Sequence, residues 1–211
     1  MNLTKIPDEV CDVREAQLTD VPQVVNVHLA SFQNFFLTFL GRSFLEHLYH
    51  EIAKEPGGVF LIATSPGHAV IGFAAGVPHL PNFYRRLIKE KWLTFGSASI
   101  RAALLRPSII PRLGRALRAS EQARQASCPA TLMSIAVAPE AKGMGVGKKL
   151  IARFLQEMAH GGIQKICLTT DLENNAATIG FYEGLGFSKS GEFQTQEGRW
   201  LCEYVIDTPQ E

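Results

Sequence analysis

Pro139-Glu-Ala-Lys-Gly-Met-Gly-Val-Gly-Lys-Lys149 separates an apolar run, Leu132 to Val137, from a stretch with helical apolar spacing. Gly143, Gly145 and Gly147 lack Cβ, so the backbone there can take unusual dihedrals and come close to a ligand. Several N–H groups can then face one anion beside the positive end of a helix dipole. The bland alternative is a strand-to-helix turn, but one glycine suffices for most turns and here three alternate. Lys148 and Lys149 oppose the dipole of the helix they open, which favours an anion nearby.

Working outward, Val146, Leu150, Ile151, Phe154, Leu155 and Met158 fall at three- and four-residue spacing, one apolar helix face that Gly161-Gly162 ends. Upstream, Val10 to Ala16 reads as a strand. Thr19 or Asp20 caps a first helix carrying Val21, Val24, Val25, Val27 and Leu29, and Ser43 caps a second over Phe44 to Ala53. Val59 to Ala63 and Ala69 to Val77 read as strands around Ser65-Pro-Gly-His68. Downstream, Ile163 to Thr170 is a strand, Ala176 to Gly184 a short helix, and Phe187 to Phe193 with Arg199 to Ile206 a closing hairpin. The order predicts an α/β fold in one domain, 1–211, with a central mixed sheet flanked by helices and a frayed tail at 207–211.

Between the third and fourth strands, residues 82–127 read as helical and basic, interrupted at Gly96, Pro107 and Pro111. They hold ten Lys and Arg against Glu90 and Glu121, although the whole chain carries only +1. Tyr84-Arg-Arg-Leu-Ile-Lys-Glu-Lys-Trp-Leu93 mixes cations with apolar residues, and Arg101, Arg106, Arg112, Arg115 and Arg118 follow. Such a surface suits an anionic membrane or a phosphorylated or nucleotide-linked substrate; the plain alternative is a solvated basic face. The overall charge points to no nucleic-acid partner. Cys11, Cys128, Cys167 and Cys202 stand too far apart for a zinc site or a dense disulfide framework, and read as reduced thiols of a cytoplasmic protein. The polar start, Met1 to Glu9, is unlike a signal peptide, and no apolar run has membrane-span length.

Two phosphate loops are excluded by spacing. A Walker loop, Gly-x-x-x-x-Gly-Lys-Ser/Thr, would need glycine at Lys142 and a hydroxyl at Lys149. A dinucleotide fingerprint, Gly-x-Gly-x-x-Gly, belongs early in a Rossmann unit, whereas this loop is Gly-x-Gly-x-Gly and lies two-thirds along the chain. A third pattern fits: Lys142-Gly-Met-Gly-Val-Gly147 matches Gln/Arg-x-x-Gly-x-Gly/Ala, with Lys142 replacing Gln or Arg. Asn175-Ala-Ala-Thr-Ile-Gly-Phe-Tyr-Glu-Gly-Leu-Gly-Phe187 matches Asn-x-x-Ala/Ser/Thr-x-x-Phe/Leu-Tyr-x-x-x-Gly-Phe. In this order, about thirty residues apart, the two make Ser134 to Phe187 resemble the core of the GNAT superfamily of N-acetyltransferases.

The resemblance implies a GNAT-like fold, with 82–127 as an insertion, and acetyl-CoA as co-substrate. It implies that loop amides of Met144, Gly145, Val146, Gly147 and Lys148, with Lys142 and Gly143, hold the pyrophosphate. Ile135, Ala136 and Val137 would pair with the pantetheine arm, and an N–H of Ala136 or Val137 would polarise the thioester carbonyl. Asn175 is the cofactor-side asparagine or a helix cap, and Tyr182 the general acid or a core residue. No acid lies on Leu132-Met-Ser-Ile-Ala-Val137, so the base stays open among His79, Asp171, Glu173 and a water oriented by Ser134. Phe32, Phe35, Phe36 and Phe39 line the acceptor pocket or staple helices to the sheet; His28 reads as a buried, satisfied histidine, and Cys167 as a thiol to be checked for acyl transfer. The implied reaction is direct acetyl transfer to a primary amine of a small molecule, for example an amino sugar or a nucleotide-linked one. A peptide acceptor, or a non-catalytic acyl-CoA-binding or membrane-docking module, are the alternatives.

Overall fold

The computed structural model describes residues 11–32, 36–105, 128–195 and 198–209. A seven-stranded mixed sheet runs in the order β1-β2-β3-β4-β5-β7-β6. Its strands are β1 (Asp12–Glu15), β2 (Val59–Thr64), β3 (Val70–Pro78), β4 (Ala130–Val137), β5 (Lys165–Asp171), β6 (Ser188–Gln194) and β7 (Trp200–Asp207). The helices are α1 (Val21–Ser31), a single turn α2 (Phe36–Phe39), α3 (Arg42–Ala53), α4 (Leu80–Leu105), α5 (Val146–His160) and α6 (Ala176–Glu183).

Each face of the sheet buries an apolar stripe. The predicted face of α5 is buried in full, from Val146 to Met158, against Leu61, Ala74 and Leu132. On the other face α1 and α3 bring Val24, Val25, Leu45, Tyr49 and Ile52 against Phe60, Ile62 and Phe73. Burying a side chain of this kind is worth roughly 1.5–3 kcal/mol, so both layers hold the sheet between them.

Several boundaries move. The first helix does start after Asp20, but the Asp20 carboxylate is taken by Arg14 (2.7 and 2.9 Å) and by Gln17 N–H (2.8 Å) and caps no α1 donor. The second helix is preceded by Gly41 at φ 90°, not capped by Ser43. The tail expected from 207 begins later, because Asp207 ends β7 and Thr208 donates to Ile163 O (2.6 Å) and Gln164 O (2.9 Å).

The described part of the insertion, residues 82–105, is helical, and α4 continues through Gly96 rather than stopping there. A single glycine costs about 1 kcal/mol in a helix, too little to break one that packs on a neighbour. Phe95 meets Phe44 of α3 at 5.0 Å, Phe83 is buried, Arg86 pairs with Glu55, and Lys91 lies 3.5 Å from Glu51. Two of the cations counted as a basic surface are therefore spent on α3 and the turn that follows it. Pro107, Pro111, Arg106, Arg112, Arg115 and Arg118 lie outside the described residues, as does the side chain of Arg101.

The constraint that shapes the site sits between β3, β4 and β5. β4 pairs parallel with β5 only at Ala130↔Ile166 and Thr131↔Cys167. β5 then turns to β7, with which it pairs along its whole length from Lys165 to Asp171. On the other side β4 stays with β3, but Gly76 faces Leu132 and Ala75 faces Ser134, so Met133 is an extra residue, a β-bulge. The bulge needs a bare backbone opposite it: a Cβ on Gly76 would lie 2.4 Å from Phe154 Cζ and 2.5 Å from Thr131 O. Gly76→Ala should destabilise the fold by about 2–3 kcal/mol, read as a drop in urea midpoint with unchanged slope; an unshifted midpoint would show that the bulge yields freely.

Candidate active site

From Leu132 onward the β5 side of β4 faces a gap instead of a strand. Main-chain groups alternate sides along a strand. Ala138 N–H donates to Ile71 O at 2.8 Å, so Ala136 also faces β3, while Ile135 and Val137 face the gap. The Ala136 N–H is thus committed to the sheet, and of the two expected carbonyl-polarising donors only Val137 is turned toward the gap. Ser31 Oγ, at the end of α1, donates to Val137 O at 3.2 Å and fixes that peptide.

The glycine loop closes the same end of the gap. Gly143 (φ 81°) and Gly145 (φ 82°) are left-handed, a region that costs other residues about 1–2 kcal/mol. Gly147 is required for a different reason: a Cβ there would sit 3.1 Å from Phe181 Cζ and 3.7 Å from Val137 Cγ2. Loop, β4 and α6 therefore meet at this one residue. Gly145 is the N-cap of α5 and carries no side chain to cap it, and the first turn contains no acid. The first helical bond runs from Lys149 N to Gly145 O (3.1 Å), which leaves the N–H groups of Val146, Gly147 and Lys148 outside the helical ladder. Met144 N–H, by contrast, points at Ala141 O (3.4 Å). Lys142 and Lys148 are exposed, whereas Lys149 reaches back to Cys11 O at 3.2 Å and ties α5 to the start of β1.

Asn175 does not cap α6 with its side chain; its Nδ2 donates to Thr170 Oγ1 (2.7 Å) and Asp171 O (2.8 Å) and fastens the helix to the end of β5. This orientation places Tyr182 in the core, 7% exposed, with ring centroids 5.4 Å from Phe181 and 5.5 Å from Phe187. Burial pushes the phenol up to about 12, so it is a proton-bearing hydroxyl at neutral pH.

The open base is not settled by an acid. The Asp171 carboxylate is held by the Arg199 guanidinium through contacts of 2.6, 2.8 and 3.1 Å, which fasten β5 to the β6–β7 turn. His79 is exposed and sits beyond Pro78↔Ala130, four residues along the strand from Ser134, roughly 13 Å away at strand rise. Glu173 is exposed. Cys167 is buried at the closed end of the gap, 3.5 Å from Ala130 O, and is sealed from an acyl donor.

Sequence reasoning missed Tyr49, which the i, i+4 spacing from Leu45 presents as an ordinary core residue. His28 is buried as expected but only half satisfied. Its Nδ1 lies 2.7 Å from Tyr49 OH, which in turn donates to Ser134 Oγ at 3.2 Å; its Nε2 is buried without a partner. Phe32 packs on the His28 ring at 4.7 Å, as the stapling alternative expects; Phe35 and the side chain of Phe36 lie outside the described residues. Among the described residues no group of three His, Cys, Asp or Glu is placed to hold a metal ion, and no helix is long and apolar enough to cross a membrane.

Residues 114–187 match the family described as Acetyltransferase (GNAT) family. This segment is similar to the GNAT acetyltransferases. The chain is 40% identical over 67 residues to the 5-NmdU N-acetyltransferase of Pseudomonas phage PaMx11, covering 32% of this chain and 45% of that protein. It is 34% identical over 74 residues to the ribosomal protein bS18-alanine N-acetyltransferase of Escherichia coli K12, covering 33% and 49%. The chain thus spans about half the length of the curated relatives it matches. The fold is shared with the structure of yncA of Salmonella typhimurium, a putative acetyltransferase solved with its cofactor acetyl-CoA: TM-score 0.58, 16% identity, 96% of each chain covered.

Burial holds the His28 imidazole down at about 4, against about 6.5 for a free side chain. The unfolded chain therefore binds a proton between these values that the folded chain refuses. Stability from this site is complete above pH 6.5 and is lost as pH falls toward 4. Wild type should lose about 1–2 kcal/mol more than His28→Phe between pH 7 and pH 5, measured by urea unfolding. Parallel losses would show that another group carries the titration.

Proposed function

We propose that this chain is an acetyl-CoA-dependent N-acetyltransferase acting by direct transfer to a primary amine of a small molecule. One observation carries the reading: a fifteen-residue helix starts uncapped behind two left-handed glycines, at the edge of a strand that loses its partner after two residues. Uncapped N–H donors call for an acceptor, and here a narrow, Cβ-free approach would let an anion reach them.

Acetyl-CoA supplies an acetyl group activated as a thioester. The N–H groups of Val146, Gly147 and Lys148, together with the Gly143–Gly145 backbone, would hold its pyrophosphate, with Lys142 and Lys148 adding positive charge. Met144 contributes backbone shape, since its N–H is used within the loop. Ile135 and Val137 would pair with the pantetheine arm as an added strand would, and Ala136 keeps them in register through β3. Asn175 sets the position of α6, and Phe181 closes the gap over Gly147. Tyr182 would hold a proton at its hydroxyl and give it to the leaving sulfur, a role its raised pKa suits.

A protein N-terminus is the second reading, supported by similarity to the bS18-alanine enzyme. A screen of amino sugars, nucleotide-linked amines, polyamines and alanyl peptides, read by free-thiol release, separates the two. Calorimetry should detect coenzyme A binding that Gly145→Val weakens at least about tenfold through loss of the left-handed turn. Tyr182→Phe should keep that affinity and lose about 10²-fold in kcat. Absence of any heat with coenzyme A would remove the catalytic reading altogether.

A further inference from the structure

The polar chain His28–Tyr49–Ser134 crosses from α1 through α3 to β4 and ends at the bulge. Its inner end is sealed: His28 is 3% exposed, and its Nε2 has no partner. The ring packs against Phe32 at 4.7 Å and lies nearly parallel to Phe73 at 6.4 Å. The outer end is open, because Ser134 is only half-buried and follows Met133, the residue at which β4 has already left β5.

A chain closed at one end cannot pass a proton through. To take one it would have to store imidazolium in an apolar pocket, and burial holds that imidazole near 4. What the chain can do is set direction. Tyr49 OH donates to Ser134 Oγ, so the phenolic oxygen must accept from His28, which requires the proton on Nδ1. Nε2 is then a bare acceptor, and stranded acceptors are tolerated better than stranded N–H donors. With one lone pair of Ser134 Oγ taken by Tyr49, its own hydrogen is left to donate to a different acceptor.

Resting on the acetyltransferase reading above, we propose that Ser134 is a catalytic hydrogen-bond donor to the acetyl oxygen, and that Tyr49 and His28 are positioning residues that hold it in the donor orientation. As the amine attacks, negative charge gathers on that oxygen, and a donor oriented beforehand stabilises it without reorganisation. The bulge is the structural reason the donor is a side chain: with Met133 inserted, Ser134 shares the α1–α3 face and comes within reach of Tyr49.

The test has two readouts. In kinetics, Ser134→Ala should lower kcat about 10²-fold with KM for acetyl-CoA nearly unchanged. Ser134→Thr, which keeps the hydroxyl, should recover most of the loss, and Tyr49→Phe should fall about tenfold through a misdirected hydroxyl. Independently of any amine, carbon-13 NMR of carbonyl-labelled acetyl-CoA bound to the full chain should show the carbonyl upfield in Ser134→Ala relative to wild type. Nitrogen-15 NMR should find His28 protonated on Nδ1. An unchanged carbonyl shift, equal losses in the Ala and Thr variants, or a proton on Nε2 would each overturn the assignment. A wild type that binds acetyl-CoA yet acetylates no amine in the screen would instead overturn the acetyltransferase reading on which this one stands.

Discussion

Two residue pairs of parallel ladder, Ala130 with Ile166 and Thr131 with Cys167, decide this molecule. Strands that continued together would bury the β4 edge and leave no site. Here β5 is drawn off by seven paired positions with β7, while β4 is held by β3 on its other side. The gap is therefore the outcome of two stable pairings pulling apart, and backbone donors along Ile135 and Val137 stay unused without being unstable, because they face a solvent-accessible cleft.

The rest of the site is built around that opening. The glycine loop can approach because Gly147 leaves room for Phe181, and α6 can present Phe181 because Asn175 fastens it to the end of β5. The Arg199–Asp171 pair keeps the hairpin β6–β7 on the same strand end. Each tie is modest by itself, about 1 kcal/mol for an ordinary hydrogen bond, but all of them converge on the place where the sheet divides.

The buried polar chain costs stability in a largely apolar layer. An unpartnered ring nitrogen in the core is unfavourable by about 1–3 kcal/mol, and an all-apolar replacement would pack the same space. Groups of this kind concentrate at functional sites, and this one ends on the only hydroxyl of the β4 segment beyond the divergence from β5.

How much of this could be read from the chain alone depends on the range of the interaction. The glycine loop, the α5 apolar face and the Asn175–Phe187 segment were legible because their information is local: φ preference, 3.6-residue period and a compact motif. The continuity of α4 through Gly96 was not legible, since packing of Phe95 on Phe44 outweighs a single glycine. Nor was the role of Asp20, Asp171 or Lys149, each of which is claimed by a partner distant in sequence or in another element. Tyr49 and His28 stand twenty-one residues apart, and Ser134 a further eighty-five away; nothing in the order of residues joins them. By itself the sequence determined most of the elements, the glycine turn and the family resemblance. Only the tertiary structure decided where β4 and β5 separate, which amides face the gap and which side chains meet at the bulge, because these follow from competition between strand pairings and from packing across the sheet.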